Sequence, residues 1–100
     1  MAVPSTATIE LSRQGTAQVR VSLHLSADTF IACYTYTDHP PILSVDDGPA
    51  RFTVSVPDRD RVTEADLDQA HRLADAVDHY VTELEIRLAK QDNADRSVAA

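Results

Sequence analysis

The chain has 100 residues, of which 43% are hydrophobic and 25% charged, with a formal net charge of −7 at pH 7. These values are ordinary for one globular domain of common size. The negative charge argues against a general binder of DNA or of anionic membranes, because neutralising phosphates needs a basic surface. The lone cysteine, Cys33, excludes an internal disulfide and a multi-cysteine metal site.

Neither a targeting signal nor a membrane span is predicted. The first ten residues, MAVPSTATIE, lack the basic and apolar regions of a secretory signal. No apolar run approaches the ~18 residues that a membrane span needs. Arg outnumbers Lys eight to one, a bias typical of high-GC bacterial genomes. We therefore expect a cytoplasmic bacterial protein that has no membrane partner.

Alternating hydrophobicity predicts two strands near the N-terminus, over residues 6–12 and 17–26. The segment RQG between them ends in Gly15, which adopts the positive φ of a short hairpin loop without steric cost. Such regular alternation implies one buried and one solvated face. The predicted solvated face carries Thr8, Glu10, Gln18, Arg20, Ser22, His24 and Ser26.

Three further strands are predicted over residues 29–37, 42–45 and 51–56. The first is rich in β-branched and aromatic residues, although a helix is the competing interpretation. One of its faces, which we expect to face the core, holds Phe30, Ala32, Tyr34 and Tyr36. Pro40 and Pro41 cannot donate to a strand ladder and therefore mark a loop. The short loops favour an antiparallel meander, since parallel strands need longer crossovers.

The hydrophobic period then changes and predicts one amphipathic helix over residues 63–90. Its apolar residues recur in steps of three and four, at Leu67, Ala70, Ala74, Val77, Val81, Leu84 and Leu88. Thr63 is a good N-cap, and Asp66 follows three residues later as a capping-box partner. Residues 92–100 are polar and small, so we expect a flexible tail.

The predicted fold class is therefore α+β. One domain over residues 1–91 combines an antiparallel β-meander of four to five strands with one long C-terminal helix packed on one face. The helix spans roughly 40 Å, whereas five strands cover only about 24 Å. Its apolar stripe continues through Val81, Leu84 and Leu88, beyond what one small sheet covers. We expect these three residues to form a homodimer; a simple overhang of the last turns is the alternative.

His71, Asp75 and His79 follow one another at intervals of four, a spacing that suggests a metal site on the helix. Eight residues of helix rise about 12 Å, so both histidines cannot bind one ion with bonds of ~2.1 Å. The three residues also lie away from the apolar stripe. We therefore predict a solvated helix face and no bound metal.

Two neighbouring loops contain acidic residues and a histidine that could be imagined as a hydrolytic or metal site: Asp38, His39, Asp46 and Asp47. Aspartate close to Gly or Pro is also what turns require, because its side chain hydrogen-bonds the local backbone. No nucleophile motif is present, and two glycines cannot build a phosphate loop. The sequence predicts a non-catalytic protein without a cofactor.

The solvated β-face suggests an interaction partner, with Arg20, His24 and Arg51 as the candidate contacts. It is mildly basic, whereas residues 58–100 hold eleven acids and six bases. We predict a small cytoplasmic protein-interaction or regulatory module; an inert solvated face is the plain alternative.

Two other functions remain open from the sequence. The first is a nucleic-acid-binding regulator that uses the same β-face, although this face lacks exposed aromatic residues on which bases stack. The second is a small-molecule-binding domain with a pocket near Tyr34, Tyr36 and Tyr80.

Overall fold

A computed structural model describes residues 5–11, 13–15 and 17–99. The described elements are β1 (Thr6–Leu11), β2 (Ala17–Ser22), β3 (Phe30–Tyr34), β4 (Ile42–Asp46), β5 (Arg51–Val54) and α1 (Glu64–Ala99). They confirm the α+β class. The chain divides into two compact units, the β unit Met1–Asp60 and the helical unit Arg61–Ala100. Their union in a single domain stays a prediction. Two ends of predicted segments, Ser12 and Ala100, lie outside the described residues.

β1 and β2 form the predicted antiparallel hairpin. Thr6 pairs with Ser22, and Ala7 pairs with Val21, so polar and apolar residues alternate between the two faces. Gly15 in the connecting loop has a φ of 82°, as the sequence predicted. The alternation therefore identified the strand pair and its register, but the face predicted to be buried is not, since Val19 and Val21 are exposed by 62% and 47%.

β2 ends at Ser22, before the predicted end of this strand. Ser22 pairs with Thr6, the first residue of β1, so the partner strand offers no further ladder position. Two residues later, the backbone N–H of His24 donates to Ser5 Oγ at 3.0 Å. A side-chain acceptor therefore replaces a strand carbonyl at this position.

β3, β4 and β5 form a separate antiparallel sheet in that order. The strands are thus divided between two sheets, where the sequence predicted one meander. A turn precedes β3, in which Thr29 N–H donates to the Ser26 carbonyl at 3.2 Å and Ser26 N–H donates to Thr29 Oγ1 at 2.9 Å. These local bonds occupy backbone groups that would otherwise extend a ladder.

The register of the second sheet decides which side chains share a face. One face is entirely apolar apart from the thiol, with Ile31, Cys33, Leu43, Val45, Phe52 and Val54. On the other face, Phe30 pairs with Asp46, and Asp46 pairs with Arg51. The prediction that the aromatic residues of β3 and Arg51 lie on opposite faces is therefore wrong. The pairing across the turn after β4 sets this register, and residue pattern alone does not.

Burial is low throughout the described part of the chain. Among the residues whose side chains the structure describes, which exclude 8–11 and 97–99, Ser44 is the only buried one, at 5% exposure, and no hydrophobic side chain is buried. Solvent thus reaches the described apolar side chains of both sheets and of the helix.

α1 begins with a reciprocal capping box. Asp66 N–H donates to Thr63 Oγ1 at 3.2 Å, and Thr63 N–H donates to Asp66 Oδ2 at 2.9 Å, as predicted. The helix has 36 residues, a rise of about 54 Å, and includes most of the segment 92–100 that was predicted as a tail. No glycine or proline interrupts it. Its predicted packing on a sheet face stays a prediction. Within the described residues, no helix is both long and apolar enough to cross a membrane.

Candidate functional site

Arg51 is the first residue of β5 and the cross-strand partner of Asp46. Its Nη2 donates to Asp46 Oδ2 at 3.1 Å, while Asp46 Oδ1 accepts the Gly48 N–H at 3.1 Å. One carboxylate therefore closes the turn and also compensates the arginine charge. This pairing reduces the positive potential that Arg51 offers to an anionic partner.

Arg20 and His24 lie in the other part of the β unit. Arg20 belongs to β2 and shares the polar face of the hairpin with Ser22, and His24 follows in the connector. Both residues are exposed. Because Arg51 belongs to the three-stranded sheet, the three predicted contact residues do not share one sheet face. Their role in binding a partner stays a prediction.

Asp47 forms the longest-range polar contacts of the β unit, and the sequence did not reveal this role. Its Oδ2 accepts a hydrogen bond from Ser5 Oγ at 2.8 Å, and its Oδ1 accepts one from Thr29 Oγ1 at 3.2 Å. Because Ser5 Oγ also accepts the His24 N–H, one half-buried carboxylate joins three distant segments. The available signal was the DDG triplet. The Asp46 side chain accepts the Gly48 N–H, and the Asp47 backbone N–H donates to the Ala50 carbonyl, so the turn does not use the Asp47 side chain.

A shallow concavity of about 300 Å³ lies on the face of the three-stranded sheet that carries Phe30, Asp46 and Arg51. Its lining residues are Tyr34, Tyr36, Ile42, Ser44, Arg51 and Thr53. Tyrosine rings beside a guanidinium form a surface that suits a flat aromatic molecule, while the Asp46 carboxylate that pairs with Arg51 lowers its attraction for an anion. The predicted ligand pocket included Tyr34 and Tyr36, and these two residues do line one concavity.

The histidine of the TDHPP loop is engaged in local contacts. Its ring lies 3.9 Å from the Tyr36 ring between centroids, at an interplanar angle of 31°. His39 Nδ1 lies 3.2 Å from the Pro40 carbonyl oxygen, and its Nε2 lies 3.9 Å from Asp38 Oδ1. Ring stacking and backbone contact hold the loop, as expected for a structural turn.

The helical trio with metal-like spacing does not converge. His79 Nε2 lies 3.6 Å from Glu83 Oε1, one turn beyond His79 and on the side away from Asp75. In the part of the chain that the structure describes, no three His, Cys, Asp or Glu side chains are placed to hold a metal ion. The trio therefore forms part of an ionic helix surface.

The C-terminal half of α1 presents the predicted self-association residues to solvent. Val81, Leu84 and Leu88 are exposed by 43%, 50% and 59%. Their spacing of three and four places them on one side of the helix. Ile86 is also exposed, by 43%, but at 100° per residue it lies on the opposite side from Leu84. This stripe is an ordered apolar surface rather than a scatter of single residues.

No protein-family model, curated protein or solved structure matches this chain. The proposals about function therefore rest on three surface features. These are the polar face of the hairpin, the concavity beside Arg51, and the apolar stripe of α1.

Proposed function

We propose that the protein is a small non-catalytic interaction module that forms a homodimer through the C-terminal half of α1. The exposed, regularly spaced side chains of Val81, Leu84 and Leu88 carry this proposal. Covering such a surface yields roughly 25 cal/mol for each Å² of apolar area removed from water. A second copy of the same helix offers a matching apolar surface, because a two-fold interface uses the same patch on both subunits.

The length of α1 also supports self-association. Helices in proteins draw most of their stability from packing an amphipathic face, and propensity contributes less. The 36 residues of α1 contain a capping box at the start and a local ionic contact between His79 and Glu83. Pairing of two copies would add packing along the apolar side of the helix.

Two observations support the non-catalytic and cytoplasmic parts of the proposal. Asp46 and Asp47, the strongest candidates for acid–base chemistry, accept hydrogen bonds that hold turns and connectors together. Cys33 is exposed, and an exposed unpaired thiol suits a reducing compartment. A protein partner for the hairpin face, centred on Arg20 and His24, completes the proposed module.

The chain offers a matched pair of substitutions to test the dimer. Leu84→Asp places a charge in the proposed interface, whereas Ile86→Asp places the same charge on the other side of the helix. Light scattering after gel filtration should show a monomer for Leu84→Asp and a dimer for Ile86→Asp and the unmodified chain. Equal masses for the two variants would contradict the assignment of the interface.

The concavity beside Arg51 favours small-molecule binding as the second candidate function. Its volume of about 300 Å³ lies at the lower limit for ligand pockets. An aromatic carboxylate such as benzoate could stack on Tyr34 and Tyr36, and its carboxylate would compete with Asp46 for Arg51. Titration should shift the amide resonances of β3 and β5, and Arg51→Ala should abolish the shifts. Unchanged spectra at millimolar benzoate would count against this candidate.

Nucleic-acid binding has weaker support. Arg51 is paired with Asp46, and Arg20 lies on a different sheet. A retardation assay at low salt with Arg20→Ala as the control separates this function from the proposed one, because only a phosphate-binding surface gives salt-dependent retardation.

A further inference from the structure

We propose that two copies of α1 pair as a parallel, in-register two-stranded coiled coil over residues 77–91. This inference rests on the proposed self-association and adds its orientation and register. The seam consists of Val77, Val81, Leu84, Leu88 and Gln91, which we call the distal seam.

The spacing along the distal seam is that of a heptad repeat. Its steps of four, three, four and three average 3.5 residues, the period that keeps one side of a supercoiled helix facing its partner. In heptad terms, Val81 and Leu88 occupy a positions, and Val77, Leu84 and Gln91 occupy d positions. In a parallel coiled coil, a β-branched residue at a with leucine at d, as at Val81 and Leu84, favours two strands over three or four.

The width of the apolar surface changes along the helix in the manner that this pairing requires. In the N-terminal half of α1, the g positions that flank the seam are apolar, with Leu73 and Tyr80. At the next g position the residue is Arg87. A narrow apolar seam bordered by charge is typical of a coiled coil, whereas a wider face is typical of packing in a globular core.

The charges beside the distal seam select the parallel orientation. In a parallel pair, each g residue faces the e residue five positions further along the other helix. Arg87 then faces the partner's Asp92, and this opposite-charge contact occurs twice in the symmetric dimer. An antiparallel pair would instead bring e positions together, and these are Asp78, Glu85 and Asp92. The acidic repulsion disfavours that arrangement.

A disulfide experiment in the full-length chain tests the orientation. In a Cys33→Ser background, Gln91→Cys places two thiols in one layer of a parallel seam, within the ~4.4–6.8 Å Cα separation that a disulfide spans. Asn93→Cys, in the same turn but on the outer side, is the matched control. An antiparallel pair centred on Leu84 would separate the two copies of position 91 by about 21 Å along the axis.

We expect covalent dimers from Gln91→Cys in a glutathione buffer and none from Asn93→Cys at equal concentration. A dimer by sedimentation that cross-links through neither position, or equally through both, would overturn the parallel register while leaving self-association intact. A monomer in all variants would overturn self-association itself, so the two failures are distinguishable.

A charge-exchange experiment tests the g–e contact independently. Arg87→Glu alone places two acids opposite each other, and Asp92→Arg alone places two arginines opposite each other. Mixing these two variants restores both opposite-charge contacts in the heterodimer. Native mass spectrometry should therefore show heterodimers well above the statistical half, with the excess declining at high salt. A statistical mixture at low salt would overturn the parallel arrangement.

Discussion

The β unit and the helical unit hold their backbones in different ways. In the β unit, Asp47 accepts hydrogen bonds from Ser5 and Thr29, which lie 42 and 18 residues away in sequence. In the helical unit, the capping box of Thr63 and Asp66 spans three residues. The side-chain contacts of the β unit thus fix distant segments, while those of the helix act within one turn.

This difference explains why we assign self-association to the helix. Long-range polar contacts order the loops of the β unit within one chain. The regularly spaced leucines of α1 have half their surface exposed, and local contacts cannot cover them. In the proposed dimer, a second copy covers these leucines and adds packing to the helix.

The largest effect is expected from removing apolar volume in the distal seam. Leu88→Ala should weaken the dimer by about 2–4 kcal/mol, because both copies lose apolar contact. This corresponds to a rise of roughly 30- to 1000-fold in the dissociation constant. Sedimentation equilibrium measures the change, and Ile86→Ala serves as the control with an unchanged constant. Equal effects of the two variants on the dissociation constant would show that the dimer does not form specifically through the side of the helix that carries Leu88.

The second largest effect is expected at the carboxylate that joins the β unit. Asp47→Ala should lower the free energy of unfolding of this unit by about 1–2 kcal/mol, since two hydroxyl donors lose a charged acceptor. Urea denaturation followed by the amide signals of β4 measures it. Asp47→Asn, which keeps one acceptor oxygen, should cost less. In a double-mutant cycle, Ser5→Ala should cost less once Asp47 is removed, because only the bond from the His24 N–H to Ser5 Oγ is then lost.

A smaller effect is expected at the start of α1. Thr63→Ala should cost about 1 kcal/mol, because it removes the acceptor for the Asp66 N–H. Thr63→Ser keeps the hydroxyl and should restore most of this loss. Thermal unfolding followed by circular dichroism at fixed concentration measures both variants. Identical melting of the alanine and serine variants would rule out a contribution from the cap hydroxyl.

The smallest effect is expected at the ion pair between Arg51 and Asp46. The arginine side chain is 70% exposed, so Arg51→Ala should change the free energy of unfolding by only a few tenths of a kcal/mol. The same urea measurement applies here. A loss as large as that of Asp47→Ala would remove the distinction between an exposed pair and a half-buried connecting carboxylate.

Local patterns predicted the elements of this fold well. Alternation identified the hairpin, Gly15 identified its loop, and Thr63 identified the start of the helix. Each of these features depends on residues that are neighbours in sequence. The division into two sheets was not predictable in the same way, because it depends on which distant backbone groups remain available after the Ser26–Thr29 turn forms.

The predicted contact residues show which features a sequence pattern can predict and which it cannot. The apolar period placed Val81, Leu84 and Leu88 on one side of α1 because helix geometry is regular. Alternation placed Arg51 opposite Phe52 correctly, but it put the aromatic residues of β3 on the wrong face relative to Arg51, since the register across the three strands decides this. The long-range contacts of Asp47 depend on tertiary placement of Ser5 and Thr29, which no local pattern encodes.

The most direct test of the central claim is the mass of the unmodified full-length chain by sedimentation equilibrium from low to high micromolar concentration. Self-association through α1 predicts a mass that rises toward twice the 11.0 kDa of one chain. A mass that stays at 11.0 kDa throughout this range would contradict the account.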